Sequence, residues 1–313
     1  MIHYFLKRVI SLLPVWIGIT IFAFFLGLVS PGDPVYLSLT RDGITEPSEA
    51  MVNAKRAELG LDLPYHIQYV NWINRVIRGD FGKSIYDNEE IKAEMLRRMP
   101  VTLKLAFSAF VITVVAGLGI GAVMAATRDT ILDRFLRQLC TLMVSIPGFC
   151  MAIILIAIFS ECFHLLPTSG MEGVKSFIMP SLVLSMGTIG TSARLSRSNF
   201  IGEISKQYVL VASAKGMSKS FIGTWHIFKN AMIPIITFFG LYFAGILGGS
   251  AVIESIFALP GMGSYVIDAI YNRDYFIIQA FVLLTGTIYV LSNLLIDMLY
   301  FLINPRMKQG DSL

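Results

Sequence analysis

Charge is scarce in this chain. Only 15% of its 313 residues are Asp, Glu, Lys or Arg, against about a quarter in soluble domains. That excludes an ordinary water-soluble fold of this length. The charge is also unevenly spread, and long windows contain almost none. Such windows reach the about 20 helical residues that cross a ~30 Å hydrocarbon core. They lack strict alternation of apolar and polar residues, which argues against a transmembrane β-barrel. Helices remain, because backbone groups at that depth have no water to bond.

Cysteine and histidine are sparse as well. Cys140, Cys150 and Cys162 are odd in number and fit no metal-ligand spacing. They read as buried small apolar residues. His3, His66, His164 and His226 are scattered along the chain and read as ordinary surface or interface residues. No His-Glu-x-x-His and no cysteine pair occurs. A phosphate-binding loop is missing too: Gly173-Val174-Lys175-Ser176 lacks the Gly-Lys adjacency such a loop needs. No cofactor is expected and no catalytic cluster is visible. Energy for any active transport must come from a gradient or from another subunit.

What fills the chain instead is 55% hydrophobic residues. They form six candidate spans, at about 9–30, 101–126, 137–160, 178–195, 231–256 and 278–303. The reading is an all-α polytopic membrane protein with six transmembrane helices. The fourth span is the shortest, with Pro180 near its start. The third contains Ser145-Ile146-Pro147-Gly148, where proline should kink the helix. Gly117/Gly121 and Gly245/Gly249 are each four apart and so share a helix face, which favours close helix approach. The N-terminal run after Lys7 and Arg8 is too long for a signal-peptide core and is followed by no small-x-small cleavage site. It reads as the first span.

Six spans place both termini on one side of the membrane. Thirteen Lys and Arg residues fall on that side. The two short loops opposite, near 161–177 and 257–277, hold only Lys175 and Arg273. The basic side is therefore expected to be cytoplasmic. The net charge of +4 is a topology signal and gives no sign of a nucleic-acid partner.

Segment 31–100 lies outside and reads as structured. Pro47 to Gly60 and Pro64 to Gly79 each have the Pro-first, Gly-last form of a helix. Asn88 is expected to cap a third helix, with Ile91, Met95 and Met99 on one face. The domain reading is residues 1–100 as first span plus outer helical segment, 101–303 as core, and 304–313 as tail. Two carboxylates fall inside spans, where charge is costly. Glu254 reads as reaching the interface or lining a pathway. Asp297 reads as a structural ion pair with Arg194 or Arg197, or as a proton relay.

Between the fourth and fifth spans lies a polar, helix-forming insert at about 196–230. A connection of that kind has the form of a docking element for a soluble partner. Residues 207–215 are expected to form a short helix, with Ala212 and Ala214 keeping its surface slim. Gly216 should end it in a left-handed conformation, and Ser218 should cap a second helix through Trp225 and Lys229.

These stretches carry a family likeness. Tyr208-Val-Leu-Val-Ala212-Ser-Ala214-Lys215-Gly216, with His226, Asn230, Ala231 and Pro234, resembles the cytoplasmic EAA loop of permease subunits of ATP-binding-cassette importers. Glu254-Ser-Ile-Phe-Ala-Leu-Pro260-Gly261-Met-Gly263 resembles the motif after their fifth span. Asn272-Arg273-Asp274-Tyr275, Asn304-Pro305-Arg306, Pro31-Gly32-Asp33-Pro34 and Gly79-Asp80-Phe81-Gly82 are similar to the dipeptide/oligopeptide/nickel branch. At Ser213 that branch commonly has Arg. The resemblance implies a MetI-like permease core at 101–303. It implies a second homologous permease subunit, two cytoplasmic ABC ATPase subunits and an extracytoplasmic substrate-binding protein as partners, all on a lipid bilayer. It places ATPase coupling at Tyr208, Ala212, Ala214, Lys215, Gly216, His226, Asn230 and Pro234. Peptide import is the favoured substrate reading, and nickel or a metal chelate the alternative. A gradient-driven transporter is the competing class. It would usually show an internal repeat with paired broken helices, and no clear repeat relates the halves here.

The topology has a direct test. In a background without Cys140, Cys150 and Cys162, Glu90→Cys should react with a membrane-impermeant thiol reagent added from outside. Reaction from the cytoplasmic side alone would invert the assignment.

Overall fold

The computed structural model describes residues 2–29, 33–41, 43, 44 and 46–303, with the side chains of 2–8, 37, 41, 219, 247, 297 and 299–303 outside that description. Expectations for Pro31, Gly32, Asn304, Pro305, Arg306 and the Asp297 side chain therefore lie outside the described residues. Every named element is helical, and the isolated bridge Lys83–Glu90 stands apart from them. Among the described residues, five helices are long and apolar enough to cross a membrane, or six if one bent pair counts as a single span. The chain divides into two compact units.

The first unit comprises Met1–Thr102 and Pro260–Val290. It holds α1 (Ile2–Val29), α2 (Pro34–Arg41), α3 (Glu49–Glu58), α4 (Tyr65–Ile77), the start of α5 (Ile91–Ala126), α13 (Met262–Tyr271) and most of α14 (Tyr275–Ile303). The punctuation of the outer segment works as read. Ser48 caps α3 by accepting from the Met51 N–H, and Pro64 immediately precedes α4. α4 packs its Trp72 on Ala23 of α1 and Leu283 of α14. Phe24, Tyr69 and Trp72 form an aromatic cluster, with Phe24 and Tyr69 centroids 5.5 Å apart.

Asn88 does not cap a helix. Residues 82–91 fold back on themselves, with the Ser84 N–H bonded to the Glu89 carbonyl (3.0 Å) and the Ile91 N–H to Gly82 (3.2 Å). α5 opens at Ile91 and runs 36 residues through Pro100. The expected third outer helix and second span are thus one rod. Its Ile91–Met95–Met99 face packs on Met262, Tyr265 and Ala269 of α13. Thr102 accepts from the Met262 N–H at 2.8 Å and anchors the start of α13. Just before α14, buried Asp274 accepts from the Ser84 hydroxyl (2.7 Å) and the Ile85 N–H (2.8 Å). Burial pushes its carboxyl above the usual range, and these donors oppose the shift.

The second unit comprises Leu103–Leu259 and Leu291–Leu313. It contains the rest of α5, then α6 (Ile131–Ser145), α7 (Gly148–Leu155), α8 (Ile178–Ile204), α9 (Gln207–Ala214), α10 (Lys219–Phe221), α11 (Lys229–Gly249) and α12 (Ala251–Ile256). α8 is its hub and packs against α6, α7, α11 and α12. It does so with small side chains: Ser181, Ser185, Ser192, Ala193 and Ser196 are all buried. A Cβ on Gly121 would sit 2.8 Å from the Ala193 carbonyl oxygen, so α5 approaches α8 closely because Gly121 has none. Gly117 faces Ser192 in the same way. Around Gly245 and Gly249, by contrast, a Cβ would meet no atom within 4 Å. That pair makes no close contact among the described residues.

The third span is broken rather than kinked. Ile146, before proline, is extended at φ −86°, ψ 123°, as the proline ring demands. α6 and the α7 segment up to Cys162 meet at 101°. α11 passes into α12 through Ser250, which keeps a helical backbone and the helical bonds to Ile246 (2.9 Å) and from Glu254 (2.8 Å). Among the cysteines only Cys140 is buried, and Cys162 is exposed. The apolar-core reading therefore holds for Cys140 and fails for Cys162.

α8 supplies a paired test. Gly190 lies against the backbone carbonyl of Cys140, and a methyl there would be 2.9 Å from Val144 Cγ2. Gly190→Ala should destabilise by about 1–3 kcal/mol through overpacking. Gly202 has open space around it, so Gly202→Ala should stabilise by about 0.5–1 kcal/mol. Detergent unfolding midpoints should move in opposite directions, and equal shifts would refute the close approach.

Candidate functional site

The insert after α8 folds into a helical hairpin. α8 ends at Ile204, and Glu203 near its end meets Lys206 at 2.5 Å. The Tyr208 hydroxyl donates to the same carboxylate at 2.6 Å and lies 3.5 Å from the His226 carbonyl. Burial raises the Tyr208 phenol above its ordinary pKa, and the bond to Glu203 adds to the shift. The first helix, α9, spans Gln207–Ala214. It closes with the Gly216 N–H on the Ser213 carbonyl (3.0 Å) and the Met217 N–H on the Ala212 carbonyl (3.3 Å). Gly216 itself has φ +77°. This is a Schellman ending, and glycine adopts it without the steric cost a Cβ brings.

Ser218 Oγ accepts from the Phe221 N–H at 3.3 Å and starts the second helix. That helix passes through α10, then a π-helical stretch at Ile222–Phe228, and continues without a break into α11. Phe228 stacks on Phe200 of α8, with centroids 6.0 Å apart. Ala231 and Ile235 then enter a buried cluster with Ala125, Phe200 and Phe239. The hairpin is therefore tied to α8 by a hydrogen bond at Tyr208 and a ring stack at Phe228. It is rooted in the core at Ala231.

The predicted residues divide by position. Tyr208 and His226 meet within the hairpin, with ring centroids 6.3 Å apart. Asn230 is within reach of the Tyr208 hydroxyl. Ala214, Lys215 and Gly216 are exposed at the turn. Pro234 lies inside α11, where its missing N–H leaves the Asn230 carbonyl without a helical donor. Ala212 differs from expectation: it is only 7% exposed. Its small side chain serves packing inside the chain and offers little outer surface. The outer apolar surface comes instead from Leu210 and Trp225, 74% and 63% exposed, with Val211 and Phe221 beside them.

Glu254 is fully buried in α12 and accepts from Ser250 at 2.9 Å, so it does not reach the interface. Arg197, one expected partner of Asp297, is committed elsewhere. Its guanidinium makes two bonds to Asp133, at 2.8 and 2.7 Å. Asp133 is fully buried and also accepts from the Asp129 N–H at 3.1 Å. Sequence reasoning missed Asp133, although Thr130-x-x-Asp133 has the form of a helix-start signal. Beside this pair runs an open groove of about 580 Å³ lined by Arg134, Arg137, Gln138, Thr141, Ser145 and Arg194.

Residues 117–309 match the family described as binding-protein-dependent transport system inner membrane component, and residues 1–106 match the N-terminal domain of the same systems. The chain belongs to that family. The permease is 36% identical over 308 residues to the glutathione transport system permease protein GsiC of Salmonella typhimurium, covering 98% of this chain and 99% of the relative. It is 34% identical over 308 residues to the GsiC protein of Escherichia coli, with the same coverage of 98% and 99%. Among solved structures it resembles a chain of the MetNI methionine ABC transporter in an inward-facing conformation, with TM-score 0.57 and 17% identity. That likeness covers 67% of this chain and 96% of the other and shows the fold, a MetI-like permease core. The permease is thus a multi-pass inner-membrane subunit of an ABC importer.

The Asp133–Arg197 pair sets a measurable dependence. Arg197→Leu removes both close bonds to the buried Asp133 carboxylate and leaves it only the 3.5 Å contact with Arg137, which should cost up to about 3–5 kcal/mol. Adding Asp133→Leu should restore most of that loss. Equal instability of the single and double variants in detergent unfolding would show that the two charges are not coupled.

Proposed function

We propose that this permease forms half of the translocation pathway of an importer that takes peptides from an extracytoplasmic binding protein. In this reading a second, homologous permease completes the pathway and two cytoplasmic ATPases drive it. Both termini are cytoplasmic, and the hairpin from Glu203 to Asn230 is the docking element for an ATPase. The carrying observation is the hairpin's construction. Leu210 and Trp225 expose apolar surface, while Tyr208, Phe228 and Ala231 fasten the hairpin to α8 and the core around it. Apolar surface of that kind on a polar connection suits burial by a protein partner. A hairpin rooted so firmly moves with the helices it joins, so ATPase closure would pass to α8 and α11 together. Peptide as substrate draws support from the relatives named for glutathione, a tripeptide.

Two variants test the coupling role without touching the buried frame. Gly216→Val places a β-branched residue at φ +77°, a strain of about 1–2 kcal/mol confined to the turn. Leu210→Asp puts charge on the exposed apolar surface. Both should reach the membrane at normal levels, co-purify less ATPase and lose peptide uptake by at least about tenfold, the equivalent of ~1.4 kcal/mol of docking energy. Wild-type uptake by both would refute the docking role. Uptake of nickel and not of labelled di- or tripeptides by the intact importer would refute the peptide reading.

A further inference from the structure

A cavity of about 740 Å³ lies in the first unit, bounded by the end of α1, by α3 and α4, and by the start of α14. Its size falls within the roughly 300–1,000 Å³ of small-ligand sites. Phe24, Trp72 and Phe276 give it aromatic walls. Its polar wall is unusual. Five side-chain polar atoms among the described residues are buried without a hydrogen-bond partner, and three of them belong to residues lining this cavity: Arg56 Nε, Tyr275 Oη and Gln279 Oε1. Tyr275 and Gln279 are only 7% and 4% exposed. Buried polar groups are normally satisfied, and three failures in one place call for an occupant.

The neighbours of these groups define what the occupant must offer. Arg56 already donates from Nη2 to the Asp33 carboxylate, so its charge is balanced and Nε is the free donor. Gln279 donates from Nε2 to the Phe24 carbonyl at 3.4 Å, and Gly27 leaves room for the amide against α1. Turning that amide over would set an acceptor against an acceptor. Oε1 is therefore the group that asks for a donor. Arg56 Nε asks for an acceptor, and Tyr275 serves as either. An occupant that presents a C=O and an N–H on one side satisfies all three, and one residue of an extended peptide has that form, since its own N–H and C=O point the same way. A buried ammonium fits worse, since among the described residues lining the cavity no unpaired buried carboxylate stands ready to balance it. Two exposed lining residues carry charge, Arg75 and Glu58, and Glu58 already pairs with Lys55 at 3.0 Å.

We infer that this cavity binds a short extended peptide, with the N–H and C=O of one residue held by Arg56, Tyr275 and Gln279 and side chains against Trp72 and Phe24. The inference rests on the peptide-import reading for the choice of peptide over other amides. Its residues belong to the first unit, and those of the proposed docking hairpin to the second.

The test uses the full-length permease in nanodiscs, alone and within its importer complex, with labelled tri-alanine as probe. Wild type should bind it saturably. Gln279→Leu should weaken binding about tenfold. Backbone N-methylated tri-alanine should lose the same factor on wild type and nothing further on Gln279→Leu. Ala57→Trp, at an exposed lining position, should block the cavity while leaving the fold intact. Additive losses, no saturable binding, or unchanged affinity in Ala57→Trp would each overturn the site. So would a co-purified phospholipid that Ala57→Trp expels and tri-alanine does not displace, since the cavity would then be a lipid site. A permease that binds tri-alanine while its complex imports no peptide keeps the site and loses the import reading. One that imports peptide without binding tri-alanine keeps the import reading and loses the site.

Discussion

A backbone surrounded by hydrocarbon has nothing to bond but itself, and that constraint organises the second unit. An unbroken helix meets it automatically. A broken one must be covered by other protein. The break at Ile146–Pro147 lies between two segments packed against α8, since α6 and α7 both contact it. α8 admits these neighbours because its inner face is built of serine, alanine and glycine. Larger side chains would hold the broken segments away and leave their free carbonyls and N–H groups exposed to lipid. The small-residue stripe and the helix break at Ile146–Pro147 therefore depend on each other.

The Asp133–Arg197 pair follows from the same geometry. It joins the first turn of α6 to α8 and draws in the Asp129 N–H. A buried pair of this kind contributes little net stability compared with apolar residues of the same shape. Its value is in register: two bonds between a planar guanidinium and a carboxylate tolerate little sliding. Close packing of small residues alone would permit neighbouring registers of similar energy. The pair excludes them, and it does so close in sequence to Phe200 and Glu203, where the hairpin is fastened.

Much of this was legible in the chain. Long uncharged windows mark the spans because nothing else in a protein needs 20 such residues in a row. Gly216 and Ser218 mark the hairpin because a helix end and a helix start each demand particular backbone chemistry. What escaped was set by partners distant in sequence or by backbone the local pattern does not announce. Asn88 has the chemistry of a cap, yet Ser84, Glu89 and Gly82 recruit the local backbone into a tight loop instead. Ala212 has the size of a surface alanine, yet it is buried. Pro147 announces a disturbance, but its 101° magnitude depends on α8 being there to cover the gap. Glu254 reads as an interface carboxylate, yet it is fully buried and bonded by Ser250 one turn earlier. Side-chain type reports local preference. Burial is decided by what packs on top.

The two units differ in how they treat buried polarity, and the difference bears on their roles. In the second unit most buried polar side chains bond to a neighbour or to their own helix: Ser185 to Leu182, Ser192 to Ile189, Thr113 to Ala109. Ser196 is the exception among the described residues, and a lone hydroxyl between packed helices costs only about 1–3 kcal/mol. Such a unit is finished as it stands and suits rigid-body movement. The first unit instead concentrates its unmet groups. Tyr265 and Tyr275 both bury hydroxyls without partners, and Arg56 and Gln279 add two more atoms. Four such penalties together would approach the whole stability of a small domain, about 5–15 kcal/mol. The unmet groups are thus gathered in the first unit, three of the four in residues that line its cavity, while the second unit meets nearly all of its own.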